Sequence, residues 1–283
     1  DNKKTKFNAS YFYNQTRLHL DEYGFRQTFL NESTFTNTDT TQNVDFRGTH
    51  NLGTRLEQQL DSSDVLIVKA NARLSSSNTD HQLGQLFEEQ VGVPKNRLDI
   101  DNTGDLQAWR VNSTAIYRHR FHKKGRSFAA SAGFNTSKSD GTEDLFSINR
   151  FFEATTFSDQ VRQMNTSINQ TNQLKSSVLY TDALSKKWYW ETFYNFTNTA
   201  NTVNRQVQDP LDENRRIDSL SIYYDNGVRY QRVGSGLRYS FGGLNASVGV
   251  AAQQIEIDGS YSISEGEPLL TNPSPNPSSL IAP

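Results

Sequence analysis

Val44-Asp-Phe-Arg-Gly-Thr-His-Asn-Leu-Gly-Thr-Arg-Leu-Glu-Gln-Gln-Leu60 runs into Asp61-Ser-Ser-Asp64 and then into Val65-Leu-Ile-Val-Lys-Ala-Asn-Ala-Arg-Leu74. Before the turn-like cluster, the even positions carry Val44, Phe46, Gly48, His50, Leu52, Thr54, Leu56, Gln58 and Leu60, while the odd positions are polar or glycine throughout. After it, Leu66, Val68, Ala70, Ala72 and Leu74 alternate with Lys69, Asn71 and Arg73, which follow two apolar residues, Val65 and Ile67. In an extended strand, period two sends each set to its own side. The stretch therefore reads as a long hairpin with one apolar and one polar face.

The same pattern recurs along the chain. Turn-like clusters at His122-Lys-Lys-Gly125, Ser185-Lys-Lys187 and Gly242-Gly243 follow Asp61-Ser-Ser-Asp64 at intervals of about 60 residues, and Asn2-Lys-Lys4 opens the series. Trp109, Val111, Ser113, Ala115, Tyr117, His119 and Phe121 alternate with Arg110, Asn112, Thr114, Ile116, Arg118 and Arg120. Phe128, Ala130, Ala132 and Phe134 follow the second turn. Leu174, Ser176, Val178 and Tyr180 precede the third, and Trp188, Trp190, Thr192, Tyr194 and Phe196 follow it. Val233, Leu237, Tyr239 and Phe241 precede the fourth, and Ala246, Val248, Val250 and Ala252 follow it. Nine strands are expected, near 5–20, 43–60, 65–79, 105–121, 126–139, 165–181, 188–204, 219–240 and 244–259. Long polar loops are expected at 21–42, 80–104, 140–164, 205–218 and 260–283. The reading is all-β: an antiparallel up-and-down transmembrane β-barrel, with short turns on one side and long loops on the other. Residues 1–262 form the barrel segment, and 263–283 a Pro/Ser-rich extracellular loop or truncated tail.

Composition agrees. Hydrophobic residues make up only 34% of the 283, and the mean hydropathy is −0.73. That is too polar for an ordinary soluble core. Aromatics at 11%, with 17 Phe and 12 Tyr, argue against disorder and suit aromatic girdles. A net charge of −2 gives no basis for nucleic-acid binding. With no cysteine there is no disulfide framework and no thiolate metal site. No apolar run reaches the 18 residues that a transmembrane helix needs, a test to which barrel strands are blind. Depth fits as well. Trp109 and Phe121 lie 12 residues apart on one face. At about 3.3 Å per residue and a tilt of roughly 45°, that is about 28 Å of height, close to an apolar band of about 25 Å with its girdles. His50, Thr54, Ser113 and His119, all polar, fall on the face assigned to lipid.

Three segments carry a family resemblance. Tyr180-Thr-Asp-Ala-Leu-Ser-Lys-Lys-Trp-Tyr-Trp-Glu-Thr-Phe-Tyr-Asn195 resembles a hairpin of the Bacteroidota outer-membrane β-barrel family, with Asp182-Ala183 where that family has Glu-Pro. Phe121-His-Lys-Lys-Gly-Arg-Ser-Phe128 resembles its basic turn. Gly234-Ser-Gly-Leu-Arg-Tyr239, with Leu244-Asn-Ala-Ser-Val-Gly249 and Asp258-Gly259, resembles its late hairpin. The likeness covers about 43–260. The family is similar to TonB-dependent receptors. The resemblance implies a larger barrel of around 22 strands in the outer membrane of a Gram-negative cell, a plug domain in its lumen and the TonB system as a partner. This chain is then an internal barrel fragment, since nine strands is an odd number.

No enzyme is expected: there is no H-E-x-x-H, no G-x-S-x-G and no phosphate-cradling glycine loop. No catalytic, cofactor-binding or metal residue is assigned, and no cofactor. Asp99-Ile-Asp-Asn-Thr-Gly-Asp105 begins like a calcium loop, but Thr103 and Arg110 occupy the fifth and twelfth positions, so an EF-hand is excluded and a solvated acidic turn is expected, with a loop calcium site on Asp99, Asp101 and Asp105 as the alternative. Arg47, Arg55, Glu57, Lys69, Arg73, Arg110, Arg118, Arg120, Glu191, Arg232 and Arg238 are expected to face the lumen. The leading reading is part of a nutrient transporter whose partners are outer-membrane lipid, a plug and TonB, with no nucleic acid. The alternatives are a non-transporting surface anchor whose long loops bind a partner or a glycan, and a soluble carbohydrate-binding solenoid or sandwich.

Overall fold

The structure, a computed structural model, describes residues 4–30, 33–152, 155–262 and 270–271. Nine long strands are present: β1 Thr5–Leu30, β2 Ser33–Gln59, β3 Asp64–Gln90, β4 Val93–Arg120, β5 Ser127–Phe151, β6 Phe157–Ala183, β7 Trp188–Asp209, β9 Ile222–Phe241 and β10 Leu244–Ser262. Two two-residue strands complete the set, β8 Arg215–Arg216 and β11 Leu270–Thr271. All pair antiparallel in one sheet, in sequence order apart from β8, which caps β7. The chain is all-β and up-and-down. A sandwich needs a second sheet packed on the first, and the described residues form only one.

Four short turns join the strands on one side, called near here: 60–63, 121–126, 184–187 and 242–243. Each has its own chemistry. Asp61 Oδ1 accepts hydrogen bonds from the backbone N–H of Ser63 at 2.6 Å and of Asp64 at 2.8 Å. Ser185 Oγ plays the same part for Lys187 and Trp188, at 3.2 Å each. Gly242 and Gly243 sit at φ +62° and +82°, the paired left-handed conformation of a two-residue hairpin turn that matches the strand twist.

The far side differs from expectation. The described residues of segments 21–42, 80–104 and 140–164 are almost wholly strand, with Leu30 paired to Ser33, a turn at 91–92, and Phe151 paired to Phe157. The remaining connection, 210–221, is a folded loop holding β8 and a 3-10 turn at Asp218–Leu220. There the hydroxyl of Ser221 accepts from Val207 N–H at 3.0 Å and donates to Ile217 carbonyl at 2.8 Å. Of the expected tail, 263–283, only Leu270–Thr271 is described, paired with Tyr261 and Ser260.

The far halves extend because threonine is β-branched and favours strands without being apolar. Thr34, Thr36, Thr38, Thr40 and Thr41 fill that half of β2. Cross-strand polar pairs hold it together: Thr36 hydroxyl donates to Glu88 at 2.9 Å, Thr79 to Asp45 at 2.9 Å, and Asn102 amide to Glu143 at 2.9 Å. Rings close the tips, Phe35 on Phe87 at 5.6 Å and Phe151 on Phe157 at 4.7 Å. A register shift between Phe87 and Gln90 accommodates Pro94, which has no N–H to give the ladder.

The sheet has no interior. Among the described residues, Ile67 and Val207 are the only buried hydrophobic side chains, while Val248 and Val250 are 71% and 73% exposed. Among the described residues no strand pairs the outer edge of β1, and only β11 touches that of β10.

Candidate functional site

The register tests the face assignments residue by residue. Phe7–Leu56–Val68–Ala115–Ala132–Ser176–Phe196 is one row of direct cross-strand partners, and Arg55–Lys69–Thr114–Gly133–Lys175–Thr197 is another. Because side chains alternate, the first row and its i±2 neighbours share one face and the second row shares the other. Every residue expected on the apolar face lies with the first, and all eleven charged residues expected on the polar face lie with the second.

A tilted strand crosses lipid in about 9–11 residues. The apolar face carries a zone of uneven depth: it runs from Trp109 to the turn at Phe121 along β4, from Leu174 to Tyr180 on β6, and on β9 and β10 it stops short of the Arg229–Glu256 ion pair. Its near border is a run of touching rings. Phe121 meets His119 at 4.4 Å and Tyr180 at 6.3 Å, Tyr180 meets Trp190 at 6.0 Å, and Trp188 meets Tyr239 at 5.1 Å. Lys187 Nζ caps the Phe241 ring at 3.8 Å. Trp190 Nε1 donates to Ser235 Oγ at 2.7 Å, so the indole polar edge is satisfied. The far border holds Tyr11, Tyr13 and Trp109. Many polar residues on this face have partners: Arg229 pairs with Glu256 at 3.1 Å, Gln231 accepts from the Tyr194 hydroxyl at 3.1 Å, and Thr136 donates to Asn172 at 2.7 Å. His50 Nδ1 lies 2.7 Å from the Tyr11 hydroxyl, with its ring 4.6 Å from that of Tyr13. His119 Nδ1 lies 2.6 Å from Asp64 Oδ1, which also accepts from the Tyr117 hydroxyl at 2.6 Å. Thr54 hydroxyl donates to Ala70 carbonyl at 3.4 Å.

Just past Tyr180, outside the apolar zone, Asp182 anchors the near-side turn. Arg126 donates to both its carboxylate oxygens, at 3.1 and 2.9 Å, and Lys123 Nζ lies 2.8 Å away. The Arg126 fork, then the Lys123 ammonium, pull the Asp182 pKa down to about 2. This cluster escaped the sequence reading because its members belong to different hairpins.

The polar face is strongly basic. From the near-side turns to the row of Arg47 it holds Lys6, Arg47, Arg55, Lys69, Arg73, Arg110, Arg118, Arg120, Lys175, Arg205, Arg232 and Arg238, against only Glu57 and Glu191. The two acids are engaged: Glu57 with Arg55 at 3.1 Å and Lys6 at 3.6 Å, Glu191 with Arg238 at 2.8 Å. Arg232 lies over Phe193 at 5.5 Å and Arg238 over Tyr189 at 5.0 Å. The Phe193 ring crowds Gly234, where a Cβ would come to 2.5 Å from its Cζ.

The acidic stretch Asp99–Asp105 is neither a turn nor a loop. It lies inside β4, opposite Gly84–Asn78 on one side and Ile148–Thr142 on the other. Asp99 accepts from Arg97 at 3.1 Å and from Arg150 at 2.5 Å, and Asp105 accepts from Asn78. Asp99 is thus engaged by two guanidinium groups, and no metal-binding cluster of three side chains exists among the described residues. Nearby, Arg162 donates to both oxygens of Asp144, at 3.2 and 2.7 Å, and holds its pKa below the ordinary value. A groove of about 680 Å³ beside Asp99 is lined by Asp21, Arg97, Asp101, Phe146 and Ile148.

No helix among the described residues is long and apolar enough to cross a membrane, which leaves strands untested as a means of crossing. No protein-family model matches the chain, and no curated protein compared with it matches either.

Proposed function

We propose that this chain is the wall of an outer-membrane β-barrel, a section of a nutrient importer similar to TonB-dependent receptors. The observation that carries this reading is the apolar zone bordered by rings on one face, set against twelve basic residues on the other. Lipid suits the first surface and an aqueous lumen suits the second. The zone spans roughly 109–121 on β4 and 174–180 on β6, and the far halves of the strands then rise beyond the membrane as a polar extension. At about 3.3 Å per residue and a tilt of about 45°, fifteen further residues add roughly 35 Å of wall.

The free edges support a larger barrel. In lipid, each unpaired backbone N–H or C=O costs several kcal/mol, so strands cross only in closed sheets. Here β1 and β10 both run from the near side to the far side, since nine long strands is an odd number. Antiparallel closure therefore needs further strands between them. The plug and the TonB partner come to this proposal from the sequence resemblance alone. In the surface-anchor alternative, the binding role would move from loops to the strand extension, where the groove beside Asp99 lies.

Fractionation of the native full-length protein, with gel mobility before and after heating, tests the reading. Recovery in the outer membrane, with a faster unheated band, is the expected result. A soluble protein with heat-insensitive mobility would sink it. An outer-membrane protein whose gene deletion changes no nutrient uptake would favour the anchor.

A further inference from the structure

Most basic residues on the polar face have no acid to answer them. Arg47, Lys69, Arg73, Arg110, Arg118, Arg120 and Lys175 make no ion pair with any described residue. Two of them stand opposite one another in the sheet. Arg73 and Arg110 are direct partners across the β3–β4 ladder, an arrangement of like charges that weakens a sheet. The same row continues through Ser137 on β5 and Thr171 on β6. The adjacent row on this face reads Ser75, Ala108, Ser139 and Asn169. Its second member is a methyl group between longer neighbours, so the surface dips there. The depression has a volume of about 280 Å³ and is lined by both arginines, Ser137, Ser139, Asn169 and Thr171.

We propose that this depression binds the oxyanion group of a small solute, and hence that the solutes passing this wall are anionic. Two adjacent guanidinium forks present fixed pairs of N–H donors, matched to the oxygens of phosphate, sulfate or carboxylate rather than to a halide. Three hydroxyls and an amide supply shorter-range donors around the same point. The size is just below the range of about 300–1,000 Å³ typical of drug-sized ligands, so it suits one such group with the rest of the solute outside. An anion seated there also relieves the repulsion between Arg73 and Arg110. The surrounding unpaired cations draw anions toward it along the wall. This deepens the transport reading and rests on it for the direction of passage, but not for binding.

The test uses the full-length protein in non-ionic detergent, titrated calorimetrically with inorganic phosphate and with sulfate at constant ionic strength set by chloride. Saturable binding is expected. Arg73→Gln and Arg110→Gln should each weaken it by about tenfold or more, the loss expected for one charge-assisted contact. Arg110→Lys should retain part of the affinity. Arg118→Gln, eight residues along β4 on the same face, should change it by less than about twofold. Absence of saturable binding in the wild type overturns the proposal, including the case where a protein carboxylate occupies the depression. Equal losses in Arg118→Gln and Arg110→Gln also overturn it, since a diffuse field would then account for the binding. Fractionation reports separately on the membrane. A soluble protein that binds phosphate here keeps the site and loses the transporter, and an outer-membrane protein indifferent to phosphate does the reverse.

Discussion

Ala115→Arg probes the apolar zone at its centre. Ala115 lies in β4 between its direct partners Val68 and Ala132, six residues from Trp109 at the far border and six from Phe121 at the near one. Six residues are about 20 Å of strand and, at a tilt of about 45°, roughly 14 Å of height. That places Ala115 close to the midplane of a band about 25 Å thick. An arginine on the lipid face at that depth costs about 2–4 kcal/mol, a factor of roughly 30 to 700 in the folding equilibrium. Two companions fix the interpretation. Gln107→Arg lies on the same face one step beyond Trp109 and should cost no more than about 1 kcal/mol. Asn112→Arg lies on the polar face, between Asn71 and Asn135, and should stay within about 0.5 kcal/mol. The assay is equilibrium urea unfolding of the full-length protein in phospholipid vesicles, scored by heat-modifiable mobility. If Ala115→Arg matched Asn112→Arg, the apolar face would not be meeting lipid, and the depth argument would fail.

Other outcomes follow from single contacts. Gly125 and Gly243 share nearly the same backbone, φ +83° and +82°, but a Cβ on Gly125 would lie 2.7 Å from Ala183 Cβ and one on Gly243 would meet nothing within 4 Å. Gly243→Ala should therefore cost only the left-handed backbone penalty of about 1–2 kcal/mol, and Gly125→Ala clearly more, as thermal melts would show. Asp182, held near pKa 2 by Arg126 and Lys123, stays charged in the fold at pH values where the unfolded chain is already protonated. Its stabilising contribution is complete above the ordinary carboxylate value and fades as pH falls from about 4 through 2. The stabilities of wild type and Asp182→Asn should then converge in that window, and parallel curves would contradict the assignment. Calcium at millimolar concentration should leave the melting temperature unchanged, because the partners of Asp99 and Asp105 are protein groups. A calcium-dependent rise abolished by Asp99→Asn would restore the cation site.

What the sequence disclosed depended on contrast between faces. Around the near-side turns, Leu56, Val68, Val111 and Trp190 alternate with arginine, asparagine and glutamate, and period two is readable by eye. Beyond Trp109 both faces turn polar. Thr34-Phe-Thr-Asn-Thr-Asp-Thr-Thr41 and Asp99–Asp105 then look like loops, although β-branched residues and cross-strand hydrogen bonds keep them in the ladder. The acidic motif was misplaced for the same reason, since its aspartates alternate with Ile100, Asn102 and Gly104 on the opposite face of a strand. Register was out of reach as well. That Arg73 faces Arg110, or that Lys123 and Arg126 meet Asp182, depends on where each turn closes, and a slip of one residue would move every partner to the other face.

The central claim is that one face meets lipid and the other water, and spin labels measure this directly. The chain contains no cysteine, so cysteines placed one at a time along 97–121 report one site each within it. In vesicles, collision rates with oxygen and with a nickel chelate should alternate with period two from 109 to 121, odd positions favouring oxygen and even positions nickel. From 97 to 105 both sets should favour nickel, because that part of β4 stands clear of the bilayer. Odd positions between 109 and 121 that are as open to nickel as their even neighbours would contradict the account.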